Sequence, residues 1–400
     1  MDISRFSDKQ QTGLLVQIKT PTGPDHAFVP RKLPPSWEFP IHLWPKVVEA
    51  RTALSELNGI AQTLPDSQLL LRPLQIREAI TSSRIEGTYA TAEELMLFEI
   101  DPHESKSKRG QVNAWREVAN YSNTLNKGIE LLETLPFCGR VFKELHEVLM
   151  RGVRGQHSQI GAWRTYQVAI GSDRRYIPPP AKPEMEQCIN EFEDYINEKD
   201  ERFDPLVRAY IAHYQFEAVH PFGDGNGRIG RVLLSLMTAH WCKLQRPWLY
   251  MSEFFERFKD EYIGNLFRVS AEGAWERWIE FCLIGTIQQA RDAIDRCQKL
   301  RELRCQMLEK VRPNGSPRTE QIVEKLFSNP LVRVSELKVR LNISYPTAQN
   351  DVDRLVKADI LRPLPDIRPK TFFSSEIMRI AYEESSRAIS LDGNPSEQAN

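Results

Sequence analysis

Apolar residues recur every three to four positions along most of this chain, the spacing that lays one hydrophobic stripe along an α-helix. Val48, Ala50, Leu54, Leu57 and Ile60 set the rhythm over 45–64, ahead of a turn at Pro65-Asp66. The same rhythm returns over 112–132, 141–150, 184–197, 205–219, 226–241, 253–269 and 275–311. Residues 1–30 mix Gly, Pro, Asp and Thr and read as an irregular arm. One clear strand signal stands out, where Val168-Ala169-Ile170 and Tyr176-Ile177 flank the polar turn Gly171-Ser172-Asp173-Arg174-Arg175. That pattern predicts two short strands and hence a β-hairpin. The fold expected is mainly α.

The pattern changes near the end. Arg312-Pro313-Asn314-Gly315-Ser316-Pro317-Arg318 is a linker by composition (312–318). Beyond it, 319–376 predicts a helix over 320–327, a second over 334–341 capped by Ser335, and a third over 344–356 opened by Ser344 with Pro346. Short strands at 360–364 and 371–373 follow, and the order resembles a winged helix-turn-helix domain. A third helix lying in a major groove would bring Thr347, Gln349 and Asn350 to base edges. Lys338, Arg340, Arg354, Lys357, Arg362, Arg368 and Lys370 are nearly offset by Glu336, Asp351, Asp353, Asp359 and Asp366. Because phosphate neutralisation dominates affinity for DNA, this near balance weakens a DNA-binding reading, and protein or dimer contacts are an equal or better use of the domain. The polar tail 384–400 reads as disordered, and the charged run His103-Glu104-Ser105-Lys106-Ser107-Lys108-Arg109-Gly110 as a solvated loop.

Composition narrows the class without naming a chemistry. The 400 residues, 41% of them hydrophobic, allow two or three domains, and the net charge of −1 gives no global attraction to nucleic acid or to an anionic membrane. No stretch approaches the roughly 18 apolar residues needed to span a bilayer, and Met1 to Gln17 has no apolar leader, so a cytosolic protein is expected. The cysteines Cys138, Cys188, Cys242, Cys282, Cys297 and Cys305 lie far apart and read as reduced, mostly buried thiols.

Chemistry concentrates in His220-Pro221-Phe222-Gly223-Asp224-Gly225-Asn226-Gly227-Arg228-Ile229-Gly230-Arg231. Glycines let a backbone approach phosphate oxygens, and a loop feeding a helix N-terminus is an anion site. His220 titrates near neutrality, Asp224 can hold a hard cation such as Mg²⁺, and Arg228 and Arg231, three apart, share a helix face. Phe222 offers no chemistry and reads as an anchor.

The string resembles the signature of the Fic family, His-Pro-Phe-x-Asp/Glu-Gly-Asn-Gly-Arg-x-x-Arg, at every fixed position. The resemblance implies transfer of AMP from ATP to a Ser, Thr or Tyr hydroxyl of a target protein, with pyrophosphate released. It makes His220 the general base and Asp224 the ligand of a Mg²⁺ that bridges the ATP phosphates. Gly225, Asn226 and Gly227 would contact the α- and β-phosphates, and Arg228 and Arg231 the β- and γ-phosphates. It also makes the hairpin with Val168, Ala169 and Ile170 a flap that pairs with an extended segment of the target. Tyr250 and Tyr262 fall where the family has nucleotide-side helices, and either reads as core or as facing adenine. His146, in Glu144-Leu145-His146-Glu147, matches a histidine that is structural in the family.

A second motif lies upstream, in Thr81-Ser82-Ser83-Arg84-Ile85-Glu86-Gly87. Ser82 and Glu86 are one helical turn apart and Gly87 can end a helix, which would let the carboxylate project. This resembles the family's inhibitory helix, within a segment over 32–94 that matches the family's N-terminal region. The resemblance implies that Glu86 pairs with Arg231 and occupies the space of the γ-phosphate, so the resting enzyme is slow. It divides the chain into an N-terminal region (31–110) and a catalytic core (111–311). It also implies a homodimer and allows the reverse removal of AMP. Other phosphate-linked donors remain open, and the competing class is a DNA-binding transcriptional regulator with a Fic sensor core.

Overall fold

The computed structural model describes residues 1–7, 12–21, 23–62, 68–100, 109–153, 159–171, 175–313, 316–364 and 370–383. The turn at Pro65-Asp66, most of the charged run at 103–110 and the tail at 384–400 lie outside the described residues.

The N-terminal arm is not irregular. β1 (Gly13–Thr20) and β2 (Gly23–Pro30) form an antiparallel hairpin, with Gly13 opposite Pro30 and Thr20 opposite Gly23. Glycines and prolines that read as breakers sit at the strand ends, where proline costs no ladder bond and Gly23 supplies a φ of +120° for the turn. Phe28 is fully buried, packs on Tyr176 at 5.9 Å between centroids, and its N–H donates to the Ile177 carbonyl. The hairpin therefore braces the segment expected to be the flap.

The body is helical: α1 (Trp44–Gln62), α2 (Gln68–Ile85), α3 (Ala92–Ile100), α4 (Arg109–Leu132), α5 (Gly139–Met150), α6 (Glu186–Asn197), α7 (Pro205–Val219), α8 (Asn226–Trp241), α9 (Ser252–Arg257), α10 (Lys259–Glu272) and α11 (Trp275–Val311). At its centre is α7, started by Asp204, whose carboxylate accepts from the Leu206 N–H, and by Pro205 in the first turn. Almost every α7 residue is buried, so the helix is enclosed on all sides, and its Arg208, His213 and Gln215 are buried with hydrogen-bond partners. Its main partner is α8. The single helix expected over 253–269 is two, because Phe258 leaves helical geometry (φ −112°, ψ 46°) between α9 and α10.

α11 runs for 37 residues, about 55 Å, packing on α1 and reaching a C-terminal unit. That unit comprises α12 (Pro317–Leu326), β3 (Leu331–Arg333), α13 (Val334–Arg340), α14 (Tyr345–Lys357), β4 (Arg362–Pro363), β5 (Thr371–Phe373) and α15 (Ser375–Tyr382). The sheet order is β3-β5-β4, both pairings antiparallel. Pro317 and Arg318 already belong to α12, whose capping box joins Ser316 and Thr319, so the linker is shorter than its composition suggests. Ser335 does not cap the second helix: α13 starts directly from β3, with Arg333 at the cap position. Ser344 does cap the third, accepting from the Thr347 N–H. α15 returns to pack on α11 and α2. Among the described residues, no helix is long and apolar enough to cross a membrane.

Candidate active site

The turn between α7 and α8 combines local hydrogen bonds with braces from the distant side chains His146 and Arg164. His220 ends α7 in the left-handed region (φ 49°, ψ 61°), an unfavourable conformation for a residue with a side chain and one that persists only where surroundings enforce it. Asn226 supplies part of that enforcement, because its buried amide accepts from the Phe222 N–H at 2.8 Å and donates to the Phe222 carbonyl at 2.9 Å. Phe222 is fully buried and stacks on His146, with centroids 3.9 Å apart. His146 is doubly held: its Nδ1 accepts from the Gly161 N–H at 3.0 Å, which leaves Nε2–H to donate to the Asp224 carbonyl at 3.1 Å. Burial pulls the His146 pKa down to about 4, so the ring is a neutral brace. Gly225, at φ 77°, then turns the chain into α8.

No side chain caps α8, so its first N–H groups and the positive end of its dipole are open to an anion. Asp224 stands beside this end, about half exposed, with Oδ1 accepting from the Gly225 N–H at 2.6 Å. Among the described residues, no three His, Cys, Asp or Glu side chains gather to hold a metal. One half-exposed carboxylate suits a Mg²⁺ that takes its other oxygens from phosphates and water.

An anion of the protein's own already faces the α8 end. α2 closes in a Schellman motif, in which the Thr88 N–H donates to the Ser83 carbonyl and the Gly87 N–H to the Arg84 carbonyl, with Gly87 at φ 86°. Glu86 therefore projects from the helix end, and its Oε1 accepts from Arg231 Nη2 at 2.7 Å. Arg231 also donates from Nε to Ser82 Oγ at 2.8 Å and from Nη2 to the Ser82 carbonyl at 3.0 Å. Burial pushes the Glu86 carboxyl up, but the Arg231 guanidinium outweighs it and leaves the pKa below the usual range. The pair is thus ionised at neutral pH. A Cβ on Gly227 would collide with the Glu86 carboxylate, which places that carboxylate against the first turn of α8. Lys259 Nζ donates to the Ile85 carbonyl at 2.5 Å and tethers the end of α2 to α10.

Glu86, His220 and Arg231 share a cavity of about 250 Å³ with Ile170, Tyr176 and Tyr262. Burial pulls the His220 pKa down to about 4, so its imidazole is neutral, with Nδ1 3.3 Å from the Glu217 carbonyl.

The sequence matches the Fic/DOC family N-terminal region over residues 44–130 and the Fic/DOC family over residues 136–238. The chain therefore carries a Fic domain with the family's N-terminal region ahead of it. Protein adenylyltransferase fic-1 of Caenorhabditis elegans is 36% identical over 141 residues, covering 32% of this chain and 27% of that protein. Protein adenylyltransferase Fic of Drosophila willistoni is 31% identical over 141 residues, covering 34% of this chain and 27% of that protein. The chain thus spans little more than a quarter of the length of these relatives. A Fic family protein from Desulfovibrio desulfuricans G20 shares the fold, with a TM-score of 0.55 at 20% identity, covering 86% of this chain and 98% of that one.

Some residues singled out from the sequence converge on this cavity and others do not. Tyr262 lines the cavity and its hydroxyl bonds His213 Nε2 at 2.9 Å. Tyr250 lies elsewhere, buried near Arg77 and Glu78 behind α2, and does not reach the site. The two signature arginines part ways: Arg228 pairs with Glu117 at 3.1 Å and lies against the Met150 sulfur, while Arg231 takes α2. The flap is slighter than two strands, since Ile170 and Tyr176 form one isolated bridge and Val168 and Ala169 have no ladder partner of their own. Arg164 secures its base, donating to the carbonyls of His220 at 2.9 Å, Tyr166 at 3.0 Å and Pro179 at 2.6 Å. Neither Arg164, Glu117, Lys259 nor the cavity-lining Glu217 drew notice as a site residue from the sequence. Arg164 lay in plain view in Gly161-Ala162-Trp163-Arg164, but its partners are carbonyls, which sequence does not reveal.

Proposed function

We propose that this chain is an autoinhibited protein adenylyltransferase that moves AMP from ATP to a Ser, Thr or Tyr hydroxyl of a target protein. The observation that carries the reading is the uncapped N-terminus of α8, with neutral His220 on one side and Arg231 held by Glu86 on the other. In this reading the triphosphate lies over the first turn of α8, where Asn226 and Gly227 present backbone N–H groups and Gly225, whose N–H is on Asp224, lets the backbone approach. Asp224 would hold Mg²⁺, which when bound neutralises charge on the departing pyrophosphate. The target hydroxyl oxygen attacks the α-phosphorus, the bond to the β-phosphate oxygen breaks, and the hydroxyl proton passes to His220 Nε2. An Nδ1–H donating to the Glu217 carbonyl leaves Nε2 as the basic nitrogen. The N–H and carbonyl of Ile170 are spent on Tyr176, so an extended target segment would pair with the opposite edge of the flap, beside Ala169.

Glu86 would occupy the place of the γ-phosphate on Arg231. ATP that binds beside it is misaligned for in-line attack, and misplacement on the order of 1 Å can cost about 10²-fold in rate. The Glu86 pKa is depressed, so the contact stabilises the resting state above the ordinary carboxylate value of 4.5 and weakens as pH falls below it. The test is His220→Ala in a Glu86→Gly background: transfer of label from α-labelled ATP should fall by at least about 10²-fold with ATP binding retained. Undiminished transfer would remove His220 from the role of base.

For the C-terminal unit we propose a winged helix-turn-helix, on the order α12-β3-α13-α14-β4-β5. Asp351, which weighs against DNA in a plain charge count, faces inward and pairs with Arg318 at 3.0 Å. The outer faces of α13 and α14 then carry Lys338, Arg340, Arg354 and Lys357 against Asp353 and the half-buried Glu336. Duplex DNA fits that balance, and a gel shift that weakens steeply with salt would support it. No shift at low salt would leave protein contacts as the use.

A further inference from the structure

The face of α2 opposite Glu86 is tied to the end of the C-terminal unit. Arg77 Nη1 bonds Asp292 Oδ2 of α11 at 2.7 Å, and its other arm pairs with Glu253 of α9. The same Asp292 oxygen accepts from Arg296 Nε at 2.7 Å. Arg296 also donates to the C-terminal end of α15, from Nη1 to the Ile380 carbonyl at 2.6 Å and from Nη2 to the carbonyl of the capping Glu383 at 2.9 Å. All three side chains are largely buried, with exposures of 11% for Arg77, 15% for Asp292 and 8% for Arg296. A planar guanidinium can bridge a carboxylate and two carbonyls in fixed geometry, which makes Arg296 a rigid joint rather than a loose charge.

Resting on the transferase reading, we infer that Asp292 and Arg296 are positioning residues for the brake: they clamp α15 to the back of α2, and that clamp keeps Glu86 on Arg231. Three observations support it. α15 follows β5 directly and packs on both α2 and α11, so the C-terminal unit and the brake helix share one joint. Arg77 lies nine residues before Glu86 on the same helix, and α2 moves as a rod over that length. A cavity of about 280 Å³, lined by Thr81, Arg84 and Tyr382 among others, lies between α2, α9 and α15 and gives α2 room to shift when the joint opens. A ligand that displaces α15 from the C-terminal unit would thereby loosen Glu86 without touching the active site.

The experiment compares wild type, Arg296→Ala, Asp292→Asn, Glu86→Gly and the Arg296→Ala/Glu86→Gly double variant as full chains. It reads label transfer from α-labelled ATP, thermal melting, and backbone hydrogen exchange across α2. Arg296→Ala should raise transfer by roughly 5- to 150-fold, the ordinary range of coupling between sites, and should speed exchange in the last turns of α2. The double variant should be no faster than Glu86→Gly, because a brake already removed cannot be released again. Arg296→Lys, which keeps the charge but not the fork, should fall between. Asp292→Asn is the milder substitution that serves if Arg296→Ala does not fold. Folded variants with wild-type transfer and unchanged α2 exchange would overturn the inference, as would equal gains from Arg296→Ala in both backgrounds. If Glu86→Gly itself labels nothing, the transferase reading has failed, and α2 exchange alone decides whether the clamp exists.

Discussion

The turn from His220 to Gly225 and the helix α2 that faces it are held in different ways. The turn closes on itself as well as on its surroundings: Asn226 bonds Phe222 four residues away and Asp224 accepts from Gly225, while the distant His146 stacks on Phe222 and Arg164 takes the His220 carbonyl. Distant groups fix α2. Glu78 accepts from Tyr121 at 2.9 Å and from Ser252 Oγ at 2.5 Å, Arg77 reaches Asp292, Lys259 takes the Ile85 carbonyl, and Arg231 takes Ser82 and Glu86. A preorganised turn suits chemistry, which tolerates little misplacement, whereas a helix held at a few separate points can be released by breaking some of them.

This contrast can be broken from the turn side first. Asn226→Ala leaves the Phe222 N–H and carbonyl buried without a partner, a loss of about 1–3 kcal/mol in stability. In a Glu86→Gly background it should also lower transfer by about 10²-fold, because the turn that aims His220 is lost. A stable variant with full transfer would show that the turn does not depend on this amide. From the brake side, Ser82→Ala removes one charge-assisted hydrogen bond to Arg231 while sparing Glu86. Such bonds contribute about 1.5–3 kcal/mol, so basal self-modification should rise roughly tenfold and the melting temperature should fall by roughly a few degrees. An unchanged rate would mean that Glu86 alone sets the brake.

The smallest effect is expected at Glu217, which lines the same cavity but makes no hydrogen bond through its buried Oε1. Burial raises its pKa to about 7, Arg231 opposes that shift and Glu86 adds to it. A raised carboxyl is neutral below its folded pKa, so the cost of holding it charged appears as pH climbs from 4.5 through about 7. Glu217→Gln should therefore raise the melting temperature at pH 8 and change it little at pH 5. An equal shift at both would show that Glu217 does not titrate in this range.

How far the sequence revealed the molecule follows the same division. His220, Asp224, Gly225, Asn226, Gly227, Arg228 and Arg231 are contiguous, so their chemistry could be read as one string. Ser82, Glu86 and Gly87 were legible because a helical turn places them together, and their meeting with Arg231 is a tertiary contact that only the resemblance anticipated. Arg164, Glu117 and Lys259 were not legible, since each acts on partners far away in the chain. Tyr250 takes the core reading that was left open beside adenine, because matching the family's nucleotide-side region does not say which of two tyrosines faces the cavity. The β1–β2 hairpin was missed because its glycines and prolines were read as breakers without their places at strand ends. β3, three residues long, carried too little local pattern to be seen, whereas α15 was legible in its amphipathic Ile377, Met378, Ile380 and Ala381 and was passed over.

The central claim is that Glu86 restrains a competent AMP-transfer site. Its most direct test is the rate at which α-labelled ATP labels protein with Mg²⁺ present, in wild type and in Glu86→Gly, with pyrophosphate counted alongside. The account predicts a rise of about 10²-fold in Glu86→Gly, with one pyrophosphate released for each AMP attached. Equal labelling by both proteins, or faster labelling by wild type, would contradict it.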